Sequence, residues 1–267
     1  MRRGNVWLFF GLTFALTWGV GLFYVVLGSR FSALFGPLGV TNPLFYLAVW
    51  SPAICAIALA ALQGRAGLAD LFGRLARFNI GIQWYLLPTF GIAAIALAAR
   101  ALSAHFGGPS VSAAFLPAGG QSWFIAALLM FVVDPGPLGE EPGWRGYALP
   151  RLEQRRGGLV AALILGTIWG VWHLPAFFIS TLPQNGLAFP MFLVQSIAFT
   201  VLMVWMVNNA RGSIIPAILF HWAINRFGGF DEKTMPFTCA LFVAATLLVV
   251  IFAGRDLGRT RMPAPPA

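Results

Sequence analysis

Among only eight acidic residues in 267, Glu140 and Glu141 stand side by side in the run Leu138-Gly139-Glu140-Glu141-Pro142-Gly143-Trp144-Arg145. On a helix, Glu141 and Arg145 form an i,i+4 pair on one face, while Glu140 points about 100° away. One carboxylate is therefore neutralised by Arg145 and the other is left to face whatever the fold offers it. The chain has three histidines, and two of them lie inside apolar runs. His173 follows Trp169 by four residues, and His221 precedes Asn225 by four, so each pair shares a helix face. A carboxylate and an imidazole together polarise a water, and an imidazole with an amide can donate to an oxyanion. Glu140, His173 and His221 are also a Glu-His-His set, a ligand combination used for catalytic zinc. No Ser or Cys is paired by motif with these histidines, so a covalent nucleophile is not indicated.

The elements that must hold these groups are membrane helices. Hydrophobic residues make up 59% of the chain and charged residues 9%, where a soluble domain carries about a quarter charged. Apolar segments of spanning length lie near 5–28, 42–63, 80–102, 121–141, 158–180, 187–209, 213–227 and 236–254. The fold expected is all-α, a polytopic transmembrane bundle of about eight spans with both termini cytoplasmic. The run Val6–Leu27 is about twice the length of a signal-peptide core, so it reads as a retained first span. With the N-terminus inside, thirteen of the seventeen basic residues fall on inner segments; only Arg30, Arg100, Arg226 and Lys233 fall outside. Residues 1–258 read as one membrane domain, with the motif-bearing core at 120–230 and a proline-rich, disordered tail at 259–267. The net charge of +9 is scattered between spans as a topology signal, which argues against nucleic acid as a partner. Cys55 and Cys239 both sit in apolar runs and indicate neither a disulfide framework nor a cysteine zinc site.

Counting from the nearest inner arginine at 1.5 Å per residue puts Glu140 at about 16 Å, His221 at about 15 Å, Asn225 at about 21 Å and His173 at roughly 25 Å. In a core of about 30 Å the four can meet near mid-depth. The run Arg151–Arg156 leads to the expectation of a cavity mouth at the inner leaflet, with Trp144, Trp169 and Trp222 lining the approach. Asp134, beside Pro135, reads as a helix cap, and His105 as a residue of an outer loop.

The ordered set Glu140-Glu141-x-x-x-Arg145, Trp169-x-x-x-His173 and His221-x-x-x-Asn225 resembles the motifs of the CPBP intramembrane proteases, which include the type II CAAX prenyl endopeptidases and the bacteriocin-processing Abi relatives. Two departures stand out: Trp169 where Phe is commoner, and the break Asp134-Pro135-Gly136-Pro137 ahead of the glutamates. The resemblance implies an endopeptidase that cuts near the cytoplasmic leaflet. Glu140 and His173 would activate water, His221 and Asn225 would form the oxyanion site, and Glu141 with Arg145 would support them. The family is commonly described as metalloproteases, which makes a divalent metal such as Zn2+, held by Glu140, His173 and His221, the rival chemistry. Partners implied are a peptide or protein substrate, lipid-anchored in some relatives, and membrane lipid. A single Lys among seventeen basic residues is the association behind expecting a bacterial cell membrane. The alternative function is a non-enzymatic immunity or export-accessory protein that keeps these polar residues as glue between helices.

Overall fold

The computed structural model describes residues 5–109, 111, 134–228 and 231–258, and over these the chain is helical, with no strand. The helices are α1 (Val6–Phe35), α2 (Pro43–Ala61), α3 (Arg65–Leu75), α4 (Gln83–His105), α5 (Pro135–Glu141), α6 (Leu149–Arg156), α7 (Gly158–Trp172), α8 (Phe189–Asn209), α9 (Ile215–Phe227) and α10 (Met235–Ala253). Among the described residues six are long and apolar enough to cross a membrane: α1, α2, α4, α7 with its extension to Phe178, α8 and α10. Their exposed apolar side chains, such as Leu247, Leu248, Ile251 and Phe252 on α10, form the face a bilayer would cover. Helix α9, at 13 residues, is about 20 Å long and falls short of a full span. Of the span expected at 121–141, residues 121–133 lie outside the described residues, as does the tail 259–267.

Punctuation in the sequence sets the helix ends. Asn5 caps α1 by accepting from Trp7 and Leu8 N–H groups, and Asn42 caps α2 in the same way. Prolines stand in the first turn of α2, α5, α8, α9 and α10, where a missing N–H costs nothing. Pro142, one residue after Glu141, lacks the N–H that would continue the ladder, and the chain runs on as a wider π turn, Pro142–Ala148, before α6.

The two ends of the bundle differ in charge. At one, Arg151 donates to Gln63 Oε1 (3.0 Å), Ile214 N–H to the Arg74 carbonyl (3.2 Å) and Leu159 N–H to the Arg255 carbonyl (2.9 Å), which gathers the arginine-bearing loops. At the other, Thr181 donates to the Leu38 carbonyl (2.6 Å) and Lys233 to that of Gly107 (2.9 Å).

Close helix approach positions the site. A Cβ on Gly139 would lie 2.6 Å from the Trp50 ring, and one on Gly143 2.5 Å from the Pro52 backbone, so this pair admits α2 against the glutamate segment. Gly166 and Gly170 do the same for α7 on α8, where a Cβ would come within 2.8 Å of Ile197 Cα and 2.7 Å of Leu193 Cδ1. Both are small-x-x-x-small seams, which let backbones meet and gain dispersion contact where lipid gives no hydrophobic drive.

Candidate active site

Glu140 ends up buried near the end of α5, at 4% exposure, because Gly139 and Gly143 draw that segment into α2. Its Oε2 accepts a hydrogen bond of 2.7 Å from the indole N–H of Trp169 on α7. His173 closes α7, where Leu174-Pro175 turns the chain into a 3-10 segment, Leu174–Phe178. His173 Nδ1 lies 2.9 Å from the Trp169 carbonyl, and a carbonyl only accepts, so Nδ1 carries the hydrogen and Nε2 the lone pair. Trp172 and Phe192 meet the imidazole edge-on, with ring centroids 4.7 and 5.2 Å away. Trp169 thus touches both groups expected to handle the water.

The second carboxylate sits in a dry network. Glu141 Oε1 accepts from Arg145 Nη1 (3.0 Å) and from His221 Nδ1 (2.8 Å), reaching a residue 80 positions away on α9. Arg145 also donates to Thr200 on α8 (2.9 Å), and its guanidinium lies 4.6 Å from the Trp169 ring centroid. Glu141, Arg145 and Thr200 have no exposed surface. The expected i,i+4 ion pair is present, and it also fixes the ring of His221.

His221 and Asn225 share a face of α9 and look across at the first turn of α5. Asn225 Nδ2 donates to Asp134 Oδ2 (2.9 Å), while Asp134 Oδ1 caps α5 through the Gly136 N–H (3.0 Å). A Cβ placed on Gly136 would lie 3.2 Å from His221 Nε2, Asn225 Nδ2 and Asp134 Oδ1, so two nitrogens and one carboxylate oxygen converge on the space above that glycine. Asp134 does cap the break, as its place before Pro135 suggests, but holding Asn225 is a task no local pattern announces.

Glu140, His173, His221 and Asn225 all line a single cavity of about 440 Å³, with Asp134, Gly136, Trp169 and Trp172. Trp144 and Trp222, expected on its walls, are not there. The wider turn from Pro142 carries Trp144 into the core, fully buried against Phe9, Phe10 and Trp172. Trp222, one residue round α9 from His221, packs edge-on to Phe227. The run Arg151–Arg156, expected beside its mouth, does not reach it. The cavity extends past Phe45 and Ile179 to Leu38, Val40, Pro183 and Gln184, which belong to the arginine-poor end; no residue of Arg151–Arg156 lines it.

The zinc set does not fit this arrangement. Among the described residues no three His, Cys, Asp or Glu side chains gather into a group able to hold a metal ion.

A prediction follows for Asp134. Replacing it with Ala is expected to lower stability by about 1 kcal/mol through the lost cap. Turnover should fall by roughly ten- to hundredfold through the loosened Asn225 amide, in line with about 1.5–3 kcal/mol for a hydrogen bond to a charged group. Unchanged turnover in the alanine variant would show that Asn225 needs no such support.

A bundle of membrane-spanning helices that gathers Glu, His, His and Asn side chains around one cavity defines a class: polytopic membrane proteins with a polar site inside the bundle. Residues 120–227, which hold all three motifs, match the family described as type II CAAX prenyl endopeptidase Rce1-like. The chain is 32% identical over 159 residues to the CAAX prenyl protease 2 of Methanococcus maripaludis, an alignment covering 55% of this chain and 54% of the relative. The chain thus matches about half the length of that relative.

Proposed function

We propose that this protein is an intramembrane endopeptidase that hydrolyses a peptide bond with a water activated by Glu140 and His173. The observation that carries this reading is the convergence of four polar side chains from three helices on one cavity, each keeping an atom for a ligand. The bonds described above leave Glu140 Oε1, His173 Nε2, His221 Nε2 and the second hydrogen of the Asn225 amide for that purpose. Glu141, Arg145 and Thr200, by contrast, have no exposed surface and face no cavity: Arg145 bonds both Glu141 and Thr200.

In this mechanism water sits between Glu140 Oε1 and the lone pair of His173 Nε2. Glu140 takes a proton as the water oxygen attacks the carbonyl carbon. The negative charge that develops on the carbonyl oxygen settles above Gly136. There the second Asn225 amide hydrogen and the His221 Nε2 hydrogen meet it, His221 being protonated on both nitrogens with Glu141 as counter-charge. Glu140 then returns its proton to the departing amine, which breaks the C–N bond. Trp169 holds Glu140 from the far side, so its free oxygen is aimed rather than mobile.

The test compares membranes that carry the wild-type protein with membranes that carry Glu140→Gln at equal abundance. Peptide termini generated only in the wild-type sample, read by mass spectrometry, are the expected result. If the two samples yield the same termini, the protein is not this protease and the polar residues are structural.

A further inference from the structure

Helix α1 gives no residue to the reacting atoms, yet it grips the segment around His173 at three points. Thr17 Oγ1 accepts a hydrogen bond of 2.9 Å from the indole N–H of Trp172, and the Trp18 indole N–H donates to the Trp172 carbonyl at 3.1 Å. That carbonyl is among those the end of α7 leaves without a helical partner. One turn on from Thr17, a Cβ on Gly21 would lie 2.6 Å from Pro175 Cβ, so a glycine there admits α1 against the turn after His173. Trp172 is buried and meets the His173 ring edge-on, with centroids 4.7 Å apart.

Thr17 is itself held because of a proline in α2. Pro52 has no N–H, so the Ala48 carbonyl, four residues before it, has no partner within the helix. Thr17 gives its one hydroxyl hydrogen to that carbonyl (2.8 Å). Ser51 Oγ, 2.6 Å away, then donates to Thr17 and, with the Trp172 indole, fills both lone pairs of the hydroxyl oxygen. The hydroxyl has no capacity left for a substrate, although Thr17 lines the cavity. The same Pro52 stands against Gly143, just past the two glutamates. One break in α2 therefore seats the Glu140 segment directly and His173 by way of Thr17 and Trp172.

We infer that Thr17 is a positioning residue for the hydrolysis: its hydroxyl fixes the Trp172 ring, and that ring fixes the His173 imidazole at a spacing from Glu140 that one water can bridge. This rests on the protease reading and adds to it a residue of α1. The Trp169 carbonyl alone holds His173 Nδ1 and leaves the ring free to tilt about that one bond. Trp172, anchored from α1, removes the tilt.

The experiment compares Thr17→Val, Thr17→Ser and Trp172→Phe in the full chain, in detergent. The probe is a quenched peptide spanning a bond that is cut in wild-type membranes and spared in Glu140→Gln membranes. Valine keeps the shape of Thr17 without its hydroxyl, and phenylalanine keeps a ring beside His173 without the N–H. Each change is expected to lower kcat by about ten- to hundredfold, as a misplacement of about 1 Å does, with KM unchanged. The double variant Thr17→Val/Trp172→Phe should be no slower than the slower single one, because both changes cut the same bond. Thr17→Ser, which keeps the hydroxyl, should turn over like the wild type. A wild-type kcat in either single variant overturns the inference, and so does a raised KM at unchanged kcat, which would put Thr17 in contact with substrate. Losses that multiply in the double variant, or a Thr17→Ser as slow as Thr17→Val, overturn it equally. If Thr17→Val does not fold, Trp172→Phe decides the matter by the same kcat and KM. Cleavage that depends on Glu140 but runs at full rate in these variants sinks the positioning role alone. If no cleavage depends on Glu140, the protease reading fails and this role falls with it.

Discussion

Glu140→Gln is expected to abolish peptide hydrolysis, with a loss of at least about 10²–10⁴-fold, the usual contribution of a positioned general base. Its thermal midpoint should stay near the wild-type value. The reason lies in the partners. Glu140 shares no ion pair, and a glutamine oxygen can still accept the Trp169 indole hydrogen at the 2.7 Å position. Nothing charged is stranded by the change. Glu141→Gln is expected to behave differently, because its carboxylate faces Arg145 and His221 in a region with no exposure. Removing one partner of a buried pair leaves an uncompensated charge, at about 3–5 kcal/mol. Glu141→Gln should therefore lower stability sharply and reduce turnover as well, since His221 loses the group that orients it. Measuring both variants for melting temperature and for cleavage separates the roles. Equal losses of stability would contradict the division between an activating and a supporting carboxylate.

Gly136→Ala is expected to inactivate the protein without unfolding it. The added methyl would stand 3.2 Å from His221 Nε2, Asn225 Nδ2 and Asp134 Oδ1, and so crowd the two nitrogens at close to the 2.7–3.1 Å at which an oxyanion meets its donors. The methyl takes the place of the reacting oxygen. Loss of a single oxyanion donor costs about 10²–10³ in turnover, and displacing the oxygen from both should cost at least as much. Alanine is the better helix former by about 1 kcal/mol, and Gly136 lies in the first turn of α5, so stability should hold or rise slightly. A variant that melts normally and retains wild-type cleavage would place the oxyanion elsewhere. If Gly136→Ala melts early, the fault lies in packing against Asp134, and the same measurement shows it.

What the sequence determined by itself follows from interactions that are local or averaged over the chain. A composition with 59% hydrophobic and 9% charged residues admits few solutions other than helices in a bilayer, because the backbone must satisfy its own hydrogen bonds there. The pairs Glu141–Arg145 and His221–Asn225 were legible because i,i+4 spacing places side chains together whatever the rest of the chain does. The choice of Glu140 as the carboxylate left facing a cavity has the same origin, since its neighbour is committed to Arg145 four residues on.

Tertiary structure decided the contacts made across distance. Glu141 meets His221 across 80 residues and Asp134 meets Asn225 across 91, and no periodicity reports either. Trp144 and Trp169 were both expected on the cavity wall, but the π turn after Pro142 packs one into the core while α7 brings the other to Glu140. The extent of the cavity is the largest difference. Distances counted along the chain placed His173 far from the inner arginines, yet the run Arg151–Arg156 was expected beside the cavity. How far the cavity reaches depends on where helices stop and which loops meet, here at Leu38, Val40 and Gln184. That is a property of several segments meeting in space, and no single stretch of sequence encodes it.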